Sequence, residues 1–230
     1  MNLIQKGHRH NHRGVIGIES AIVLIAFVIV AAALAFVVLN MGFATSQKAK
    51  TSITSALGEA GSSLAISGKV IAGAPAAGGF INVTMVPLKL TSGGNSVDLD
   101  NTRATISYLG ESVEYDNIYD TGCTLTATVY ADPGTAWGAA GACIAGGSPF
   151  GGAPSETKAI VYWAVANETP PNSILDPGEH AILSIAWSQA PDERPTDLDK
   201  IKIELGVTGG ATLTVERTIP NISSTIIDLG

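Results

Sequence analysis

The chain has 230 residues and a net charge of −7, with only 14% charged and 6% aromatic residues beside 26 glycines. This length suits one sizeable domain plus an extended segment rather than two globular cores. The abundance of small residues favours close backbone packing and short strands with tight turns, and it argues against an intracellular enzyme. An acidic surface without a basic patch repels phosphate backbones, so we expect no nucleic-acid partner.

A basic leader precedes a long apolar run. Lys6, Arg9 and Arg13 all lie before Gly14, whereas every Asp and Glu lies after it. From Ala21 to Leu39 every residue is apolar, and at about 1.5 Å per residue this run matches the ~30 Å hydrocarbon core of a bilayer. It is longer than the apolar region of a secretory signal peptide, which has about 7 to 15 residues. The run can therefore span a membrane.

The junction "RGVIGIE", residues 13 to 19, resembles a class III signal peptide, which is cut ahead of its hydrophobic segment. The resemblance implies that a prepilin-peptidase-like signal peptidase cuts between Gly14 and Val15, so that residues 1–14 are removed and the apolar helix is kept. Without the leader, 10 Lys and Arg face 20 Asp and Glu, a net charge of −10. The alternative is an uncleaved signal anchor with a positive-inside flank.

Helical periodicity continues beyond the apolar run. Apolar residues recur at spacings of three, four and seven, which predicts a helix over 15–71. These residues are Ile53, Leu57, Ala60, Leu64 and Ile71. The first half is apolar all round and the second has one apolar stripe, so the helix begins in lipid and ends among other helices. Its alanines and glycines let helix backbones approach closely.

A small-residue linker over 72–79 leads into a region of period two. The segments 124–131 and 200–207 alternate polar and apolar residues, and turn signals separate further candidates. These candidates are 80–90, 103–109, 158–165, 180–187 and 211–219. About seven short strands predict an immunoglobulin-like antiparallel β-sandwich over 80–230, and hence an α+β chain with a long N-terminal hydrophobic helix. The Gly/Ala/Pro-rich segment 134–154 is expected to be a long surface loop.

The two cysteines, Cys123 and Cys143, are too far apart for a redox C-x-x-C motif and lack companions for a zinc site. In an exported protein they most simply form one disulfide, which would fasten the 134–154 loop to the neighbouring strand. Two free buried thiols are the alternative.

The sequence offers little catalytic chemistry. His180 is the only histidine beyond the leader, and its place at the start of a strand suits an ordinary surface histidine. No nucleophile stands in a recognisable motif beside a base, so we expect no enzyme activity, catalytic residue or cofactor. Two acidic clusters could offer oxygen ligands to calcium, but they lack the spacing of a loop motif, so we expect solvated strand ends and no metal. These clusters are Asp98 with Asp100, and Asp192 with Glu193, Asp197 and Asp199.

Three N-x-[ST] sequons, at Asn82, Asn167 and Asn221, are candidate N-glycosylation sites on an exported domain. The motif is short and arises by chance, so we expect one or two to be used. Asn167, in a loop ahead of Pro170, is the best candidate.

Three segments together resemble the archaeal flagellins, or archaellins, of the type IV pilin-like superfamily. They are "RGVIGIESAIVLIAFVIVAAALAFVVLN" at the start, "LDPGEHAILSIAW" at 175–187 and "VERTIPNISSTIIDL" at 215–229. The resemblance covers nearly the whole chain.

This resemblance implies a structural subunit of an extracellular swimming filament. Its precursor would sit in the membrane before assembly, and its partners would be copies of itself, the signal peptidase and, in a mixed filament, sister archaellins. The alternatives are a subunit of a non-rotating adhesive pilus or thread, and a membrane-anchored surface binding domain or enzyme.

Glu19 is the only charge between the cut site and Lys48, and it lies four residues after Val15, on the same helix face. A carboxylate in apolar surroundings needs a partner, and cleavage creates one in the new α-amino group of Val15, in the same or an adjacent subunit. The resemblance to type IV pilins implies that this pair holds register during assembly. The alternative is a carboxylate that stays at the lipid headgroups or is protonated.

Overall fold

The computed structural model describes residues 13–61, 64–75, 78–141, 143–144, 149–150, 154–190 and 192–230. The chain divides into two compact units, Met1–Thr54 and Ser55–Gly230. Helix α1 (Arg13–Gly61) has 49 residues, which at about 1.5 Å per residue gives a length of about 74 Å. Most of the leader lies outside the described residues.

The second unit is built mainly of strands. In chain order they are β1 (Leu64–Ile66), β2 (Ile71–Gly73), β3 (Val83–Leu90), β4 (Val97–Asp98), β5 (Ala104–Leu109), β6 (Glu114–Tyr115), β7 (Thr124–Leu125), β8 (Lys158–Val165), β9 (Ile174–Leu175), β10 (His180–Ala186), β11 (Lys200–Val207), β12 (Leu213–Thr218) and β13 (Ile226–Asp228). A short helix, α2 (Pro133–Ala139), lies between β7 and β8.

Two of the three sheets form a sandwich. The seven-stranded sheet has the order β13-β2-β3-β10-β8-β7, with β1 also paired to β3, and the four-stranded sheet has the order β12-β11-β5-β6. Strands β4 and β9 form a separate pair. The described pairings are antiparallel apart from that of β7 with β8. The predicted α+β class, a long apolar helix followed by a β-sandwich, is confirmed.

The core lies between the two larger sheets. The alternation of β11 turns Ile201, Ile203 and Leu205 inward, each 1% exposed, while the lysines and glutamate between them face out. Tyr108 of β5 lies on the same face of the four-stranded sheet, opposite Ile203. Its ring centroid lies 4.3 Å from that of Trp187, which directly follows β10. Aromatic packing thus joins the two sheets across the core.

Helix α2 covers part of the other face of the seven-stranded sheet. Asp132 caps the helix by accepting a hydrogen bond from the Thr135 N–H at 2.9 Å, and Pro133 stands in its first turn. Trp137 is 1% exposed, and its indole N–H donates to Ser184 Oγ of β10 at 2.8 Å. The expectation of a surface loop over 134–154 is therefore wrong at its N-terminal end. A capped turn carrying a tryptophan gains more by covering the sheet than by facing water.

The predicted helix over 15–71 is also wrong beyond residue 61, and the predicted linker over 72–79 is wrong at residues 72 and 73, which belong to β2. Helix α1 ends at Gly61, whose carbonyl accepts a hydrogen bond from the Asn95 N–H at 2.7 Å. Strands β1 and β2 follow, and both pair with β3. Leu64 is buried as part of the sheet, so its seven-residue spacing from Leu57 is not a helical continuation. Two glycines, Gly58 and Gly61, weaken the helix just where the strands take over.

The predicted strand over 124–131 is correct only for its first two residues, which form β7. Beyond them the chain stays beside β8 through one backbone hydrogen bond, from the Tyr130 N–H to the Trp163 carbonyl at 2.9 Å. The estimate of about seven strands is too low, because the missed strands have only two or three residues each. Segments this short carry no readable period.

Candidate assembly surface

Helix α1 carries a continuous apolar surface that the chain itself leaves uncovered. Sixteen large apolar side chains between Ile18 and Phe43 are each 55–76% exposed. The segment Gly17–Gly58 reaches a mean hydropathy of 3.4 over its most apolar 18 residues and is long and apolar enough to cross a membrane. No charged side chain lies between Glu19 and Lys48, so no face of this part of the helix is charged.

In the more polar half of α1, three threonine hydroxyls are hydrogen-bonded within the helix. The hydroxyls of Thr45, Thr51 and Thr54 each donate to the carbonyl four residues earlier, at 2.8, 2.9 and 2.8 Å. A threonine satisfied within its own helix has less need of water. These three hydroxyls therefore do not oppose the burial of this part of α1 among other helices.

Three glycines of α1 leave its backbone open to a close neighbour. A Cβ atom placed on Gly17, Gly42 or Gly58 would meet no atom within 4 Å. Together with the run of three alanines from Ala31, they allow another helix to approach closely.

The proposed cleavage site lies in the first turns of α1. Gly14, Val15 and Glu19 all belong to this helix, and Glu19 is exposed. Because Val15 and Glu19 are four residues apart, they lie on one helical face.

The structure joins Cys123 and Cys143 in a disulfide, with Cα atoms 4.8 Å apart. Cys123 is fully buried immediately before β7, and Cys143 lies in the turn after α2. The bond connects the end of the α2 segment to the edge of the seven-stranded sheet. Oxidation of this pair in the exported subunit remains a prediction.

The sequon at Asn82 is held within the fold. Its amide donates to the Pro149 carbonyl at 3.4 Å, and its amide oxygen accepts from Arg194 at 3.5 Å. The hydroxyl-bearing residue of the sequon, Thr84, is fully buried in β3 and accepts from the Trp187 indole at 3.4 Å. An enzyme that needs both residues has poor access here.

The other two sequons are open to solvent. Asn167 and Thr169 are both exposed, as are Asn221 and Ser223. The Asn167 side chain makes only a long hydrogen bond of 3.5 Å, to a backbone carbonyl. The geometry therefore favours these two asparagines over Asn82 as acceptors.

The first acidic cluster is used to shape a turn. Asp100 accepts hydrogen bonds from the Thr102 N–H at 3.0 Å and from its hydroxyl at 2.7 Å. These bonds hold the pKa of Asp100 below its usual value. Asp98 accepts from the Asp100 N–H at 3.0 Å and lies 3.3 Å from Arg103 Nε. Both carboxylates act within their own loop.

The second acidic cluster is likewise engaged within the fold. Glu193 accepts from the Thr157 hydroxyl at 3.0 Å, and Asp199 accepts from the Thr196 N–H at 2.7 Å. No group of three His, Cys, Asp or Glu side chains is placed to hold a metal within the part of the chain that the structure describes. His180 is half-buried, with its Nδ1 2.8 Å from Ser67 Oγ.

Glu179 is a structural residue that the sequence analysis did not identify. It is 4% exposed, and its carboxylate accepts from the Asn167 N–H at 2.7 Å and the Asp176 N–H at 3.0 Å. A turn with Gly178 at φ 96° brings it back over this loop. The only available signal was an acidic residue directly after an Asp-Pro-Gly turn. The "DPGEH" stretch therefore serves to fix the loop that precedes β10.

The family model for archaeal-type flagellin matches residues 14–217. This chain belongs to the archaeal-type flagellin family. Among the relatives of this flagellin, probable flagellin 1 of Aeropyrum pernix is 36% identical over 213 residues, covering 90% of this chain and 92% of the relative. Probable flagellin 2 of Archaeoglobus fulgidus is 27% identical, covering 92% of each chain.

Solved structures share the fold of this flagellin. The archaeal flagellum of Methanospirillum hungatei strain JF1 matches with a TM-score of 0.57 at 23% identity, covering 92% of this chain and 98% of the other. Archaeal flagellin FlaB1 from Methanocaldococcus jannaschii matches with a TM-score of 0.55 at 17% identity, covering 72% and 95%. The flagellin is a structural filament protein and not an enzyme, and its family implies self-assembly into a cell-surface polymer.

Proposed function

We propose that this flagellin is the structural subunit of an archaeal flagellum, or archaellum, and that it polymerises through α1 into a helical filament used for swimming. The exposed apolar surface of α1 carries this proposal, and the family supports it. A subunit contact that repeats without closing generates such a filament.

The free-energy cost of exposing α1 to water determines where the helix resides before and after assembly. Burying one large apolar side chain contributes roughly 1.5–3 kcal/mol, so sixteen of them in water would cost tens of kcal/mol. Before assembly the helix therefore resides in lipid, and after assembly it packs among copies of itself. Direct transfer from the membrane into a growing bundle avoids exposure to water.

The leader is removed first in this proposal, by a prepilin-peptidase-like protease acting between Gly14 and Val15. Removal takes Lys6, Arg9 and Arg13 away from an apolar helix that would otherwise drag three cations into the filament core. It also creates the α-amino group that pairs with Glu19, in the same or an adjacent subunit.

Glycans in this proposal are carried by Asn167 and Asn221 and not by Asn82, because only in the first two sequons are both the asparagine and the hydroxyl-bearing residue exposed. Mass spectrometry of peptides from purified filaments would measure occupancy at each asparagine. A glycan on Asn82 would contradict the assignment.

The decisive experiment compares the producing strain with a deletion strain and a complemented strain. Electron microscopy would count filaments, and the same cells would be scored for swimming and for surface attachment. We expect loss of filaments and of swimming on deletion, and restoration of both on complementation. Loss of attachment alone would favour an adhesive thread.

N-terminal sequencing of the purified filaments then tests the processing step. We expect the sequence to begin at Val15. A start at Met1 or at Thr45 would contradict the proposed cut.

A further inference from the structure

Leu198 has an unfavourable backbone conformation for its residue type. Its φ is 70°, and no other residue except glycine has a positive φ within the described ranges. In this left-handed region the Cβ atom crowds the following carbonyl oxygen, so glycine and asparagine are the usual occupants. A leucine at this position is not explained by local conformation.

The fold of its own chain buries little of the Leu198 side chain. It is 74% exposed, the highest value among the large apolar side chains described for residues 55–230. A polar or small residue would avoid both the backbone strain and the exposed apolar surface. Neither the conformation nor the burial of the single chain calls for leucine here, which points to a role between chains.

Hydrogen bonds on both sides fix the turn that presents Leu198. The Leu198 N–H donates to the Ile219 carbonyl at 3.0 Å, and the Ile219 N–H donates to the Asp199 carbonyl at 2.9 Å. Asp199 in turn accepts from the Thr196 hydroxyl at 2.8 Å, and Asp197 accepts from the Ile222 N–H at 2.8 Å. The leucine is thus held outward on a rigid turn, which reduces the entropy lost when it makes a contact.

We propose that Leu198 packs against a neighbouring copy of this chain in the filament. This inference rests on the proposed function, because polymerisation through α1 would hold the second units of neighbouring subunits at high effective concentration. Under that condition one buried leucine strengthens a lattice even though the same contact would be negligible between free subunits. Burial in the neighbour offsets the cost of the backbone strain.

The test is Leu198→Asn in the full-length mature chain, because asparagine tolerates a positive φ and lacks the apolar side chain. In detergent micelles, the thermal unfolding midpoint of the second unit should stay unchanged or rise by about 2–4 °C. Purified filaments of the variant should lose subunits at least about tenfold faster than wild-type filaments at the same temperature. We therefore expect the second unit of the variant to be at least as stable as that of the wild type, whereas its filaments are less stable.

Leu198→Met is the matched control, because it keeps an apolar side chain of similar size at the same backbone position. Its filaments should lose subunits within about twofold of the wild-type rate. If wild-type filaments form and the Leu198→Asn filaments lose subunits at the same rate, the inference about Leu198 is overturned and the proposed function still stands. A parallel fall in the unfolding midpoint would overturn it too, since Leu198 would then serve its own domain. Absence of wild-type filaments would instead overturn the proposed function.

Discussion

The two units of this flagellin place their apolar side chains in opposite environments. Among the described residues of the second unit, 40 apolar residues are buried in a core shared by two sheets and α2. In α1, sixteen large apolar side chains between Ile18 and Phe43 remain exposed. The second unit thus meets its own need for burial, whereas the first needs lipid or other helices.

Charge follows the same division. Residues 13–54 contain four charged side chains, and residues 55–230 contain 8 basic and 19 acidic ones. An excess of one sign keeps the second unit soluble, while a sparsely charged helix is compatible with a bilayer. The chain therefore combines a more highly charged unit with a sparsely charged, apolar helix.

The comparison teaches that the same kind of substitution has different consequences in the two units. A change in the apolar part of α1 should alter assembly without unfolding the second unit, because a helix makes its interior backbone hydrogen bonds within itself. A change in the second unit should act first on folding.

The largest expected effect comes from a charge in the middle of the apolar run. Ala32→Lys puts an ammonium group where the bilayer cost is about 2.5–3.5 kcal/mol and where the filament offers no partner. We expect cleaved subunit in the membrane but no filaments by electron microscopy. Thr214→Lys, at an exposed position of β12 opposite Glu204, is the control and should give normal filaments. A normal number of filaments in the Ala32→Lys strain would show that α1 tolerates a charge as the second unit does, and would remove the contrast between the two units.

The next effect concerns the one acidic residue in the first unit. Glu19→Leu leaves the α-amino group of Val15 without its partner in apolar surroundings, and breaking a buried pair in this way costs about 3–5 kcal/mol. We expect normal cleavage and membrane retention but at least about tenfold fewer filaments per cell. Glu19→Asp keeps the charge and should assemble better than Glu19→Leu. Filaments of wild-type number and length from cleaved Glu19→Leu would show that the carboxylate stays at the headgroups or is protonated.

The sequence predicted the long elements of both units well. The apolar run could be recognised from composition alone, and β8 and β11 have the predicted bounds, 158–165 and 200–207. Strong period-two or all-apolar patterns over eight residues reflect a buried face directly. The apolar surface of α1 was predictable for the same reason, because an uninterrupted apolar run leaves no polar face on the helix.

Long-range contacts explain what the sequence could not predict. Residues 57 to 71 fit a helical spacing, yet β1 and β2 form because β3 supplies their hydrogen bonds. Trp137 lies in a glycine- and alanine-rich segment and is buried only because Ser184 offers a partner on the sheet. The strain at Leu198 depends on bonds to residues 219 and 222, more than twenty positions away. Tertiary context overrode local propensity at each of these places.

A third prediction sharpens the contrast through the disulfide of the second unit. Replacing both Cys123 and Cys143 with alanine opens a loop with a sequence separation of 20, which should lower the free energy of unfolding by about 3 kcal/mol. For a domain of this size the unfolding midpoint should fall by roughly 6–12 °C. Helicity of α1 in detergent should not change. Thermal unfolding of the mature chain followed by near- and far-ultraviolet circular dichroism would distinguish the two units. Equal unfolding midpoints with and without the disulfide would contradict the prediction.

The smallest predicted effect is the loss of stability in acid, and it should arise from the second unit alone. The backbone N–H and hydroxyl of Thr102 lower the pKa of Asp100. Burial raises the pKa of Glu193, but hydrogen bonds from Ser188, Tyr115 and Thr157 outweigh it and lower the pKa overall. When the folded-state pKa lies below the unfolded one, the unfolded chain binds protons more readily, so the stabilisation exists above the unfolded values. It is lost as the pH falls through the folded values, below about 4.

Asp100→Asn tests this acid dependence at one residue. Because Asp100 is partly exposed, solvent screening limits the loss at pH 7 to well under 1 kcal/mol. The informative measurement is the unfolding midpoint of the second unit in urea at a series of pH values between 7 and 2. The variant should lose less stability than the wild type across the acidic part of the series, since it has one fewer carboxylate that takes up a proton on unfolding. Identical slopes for the two proteins would mean that the Thr102 hydrogen bonds persist in the unfolded chain or contribute nothing, and a parallel loss of α1 helicity would remove the contrast between the units.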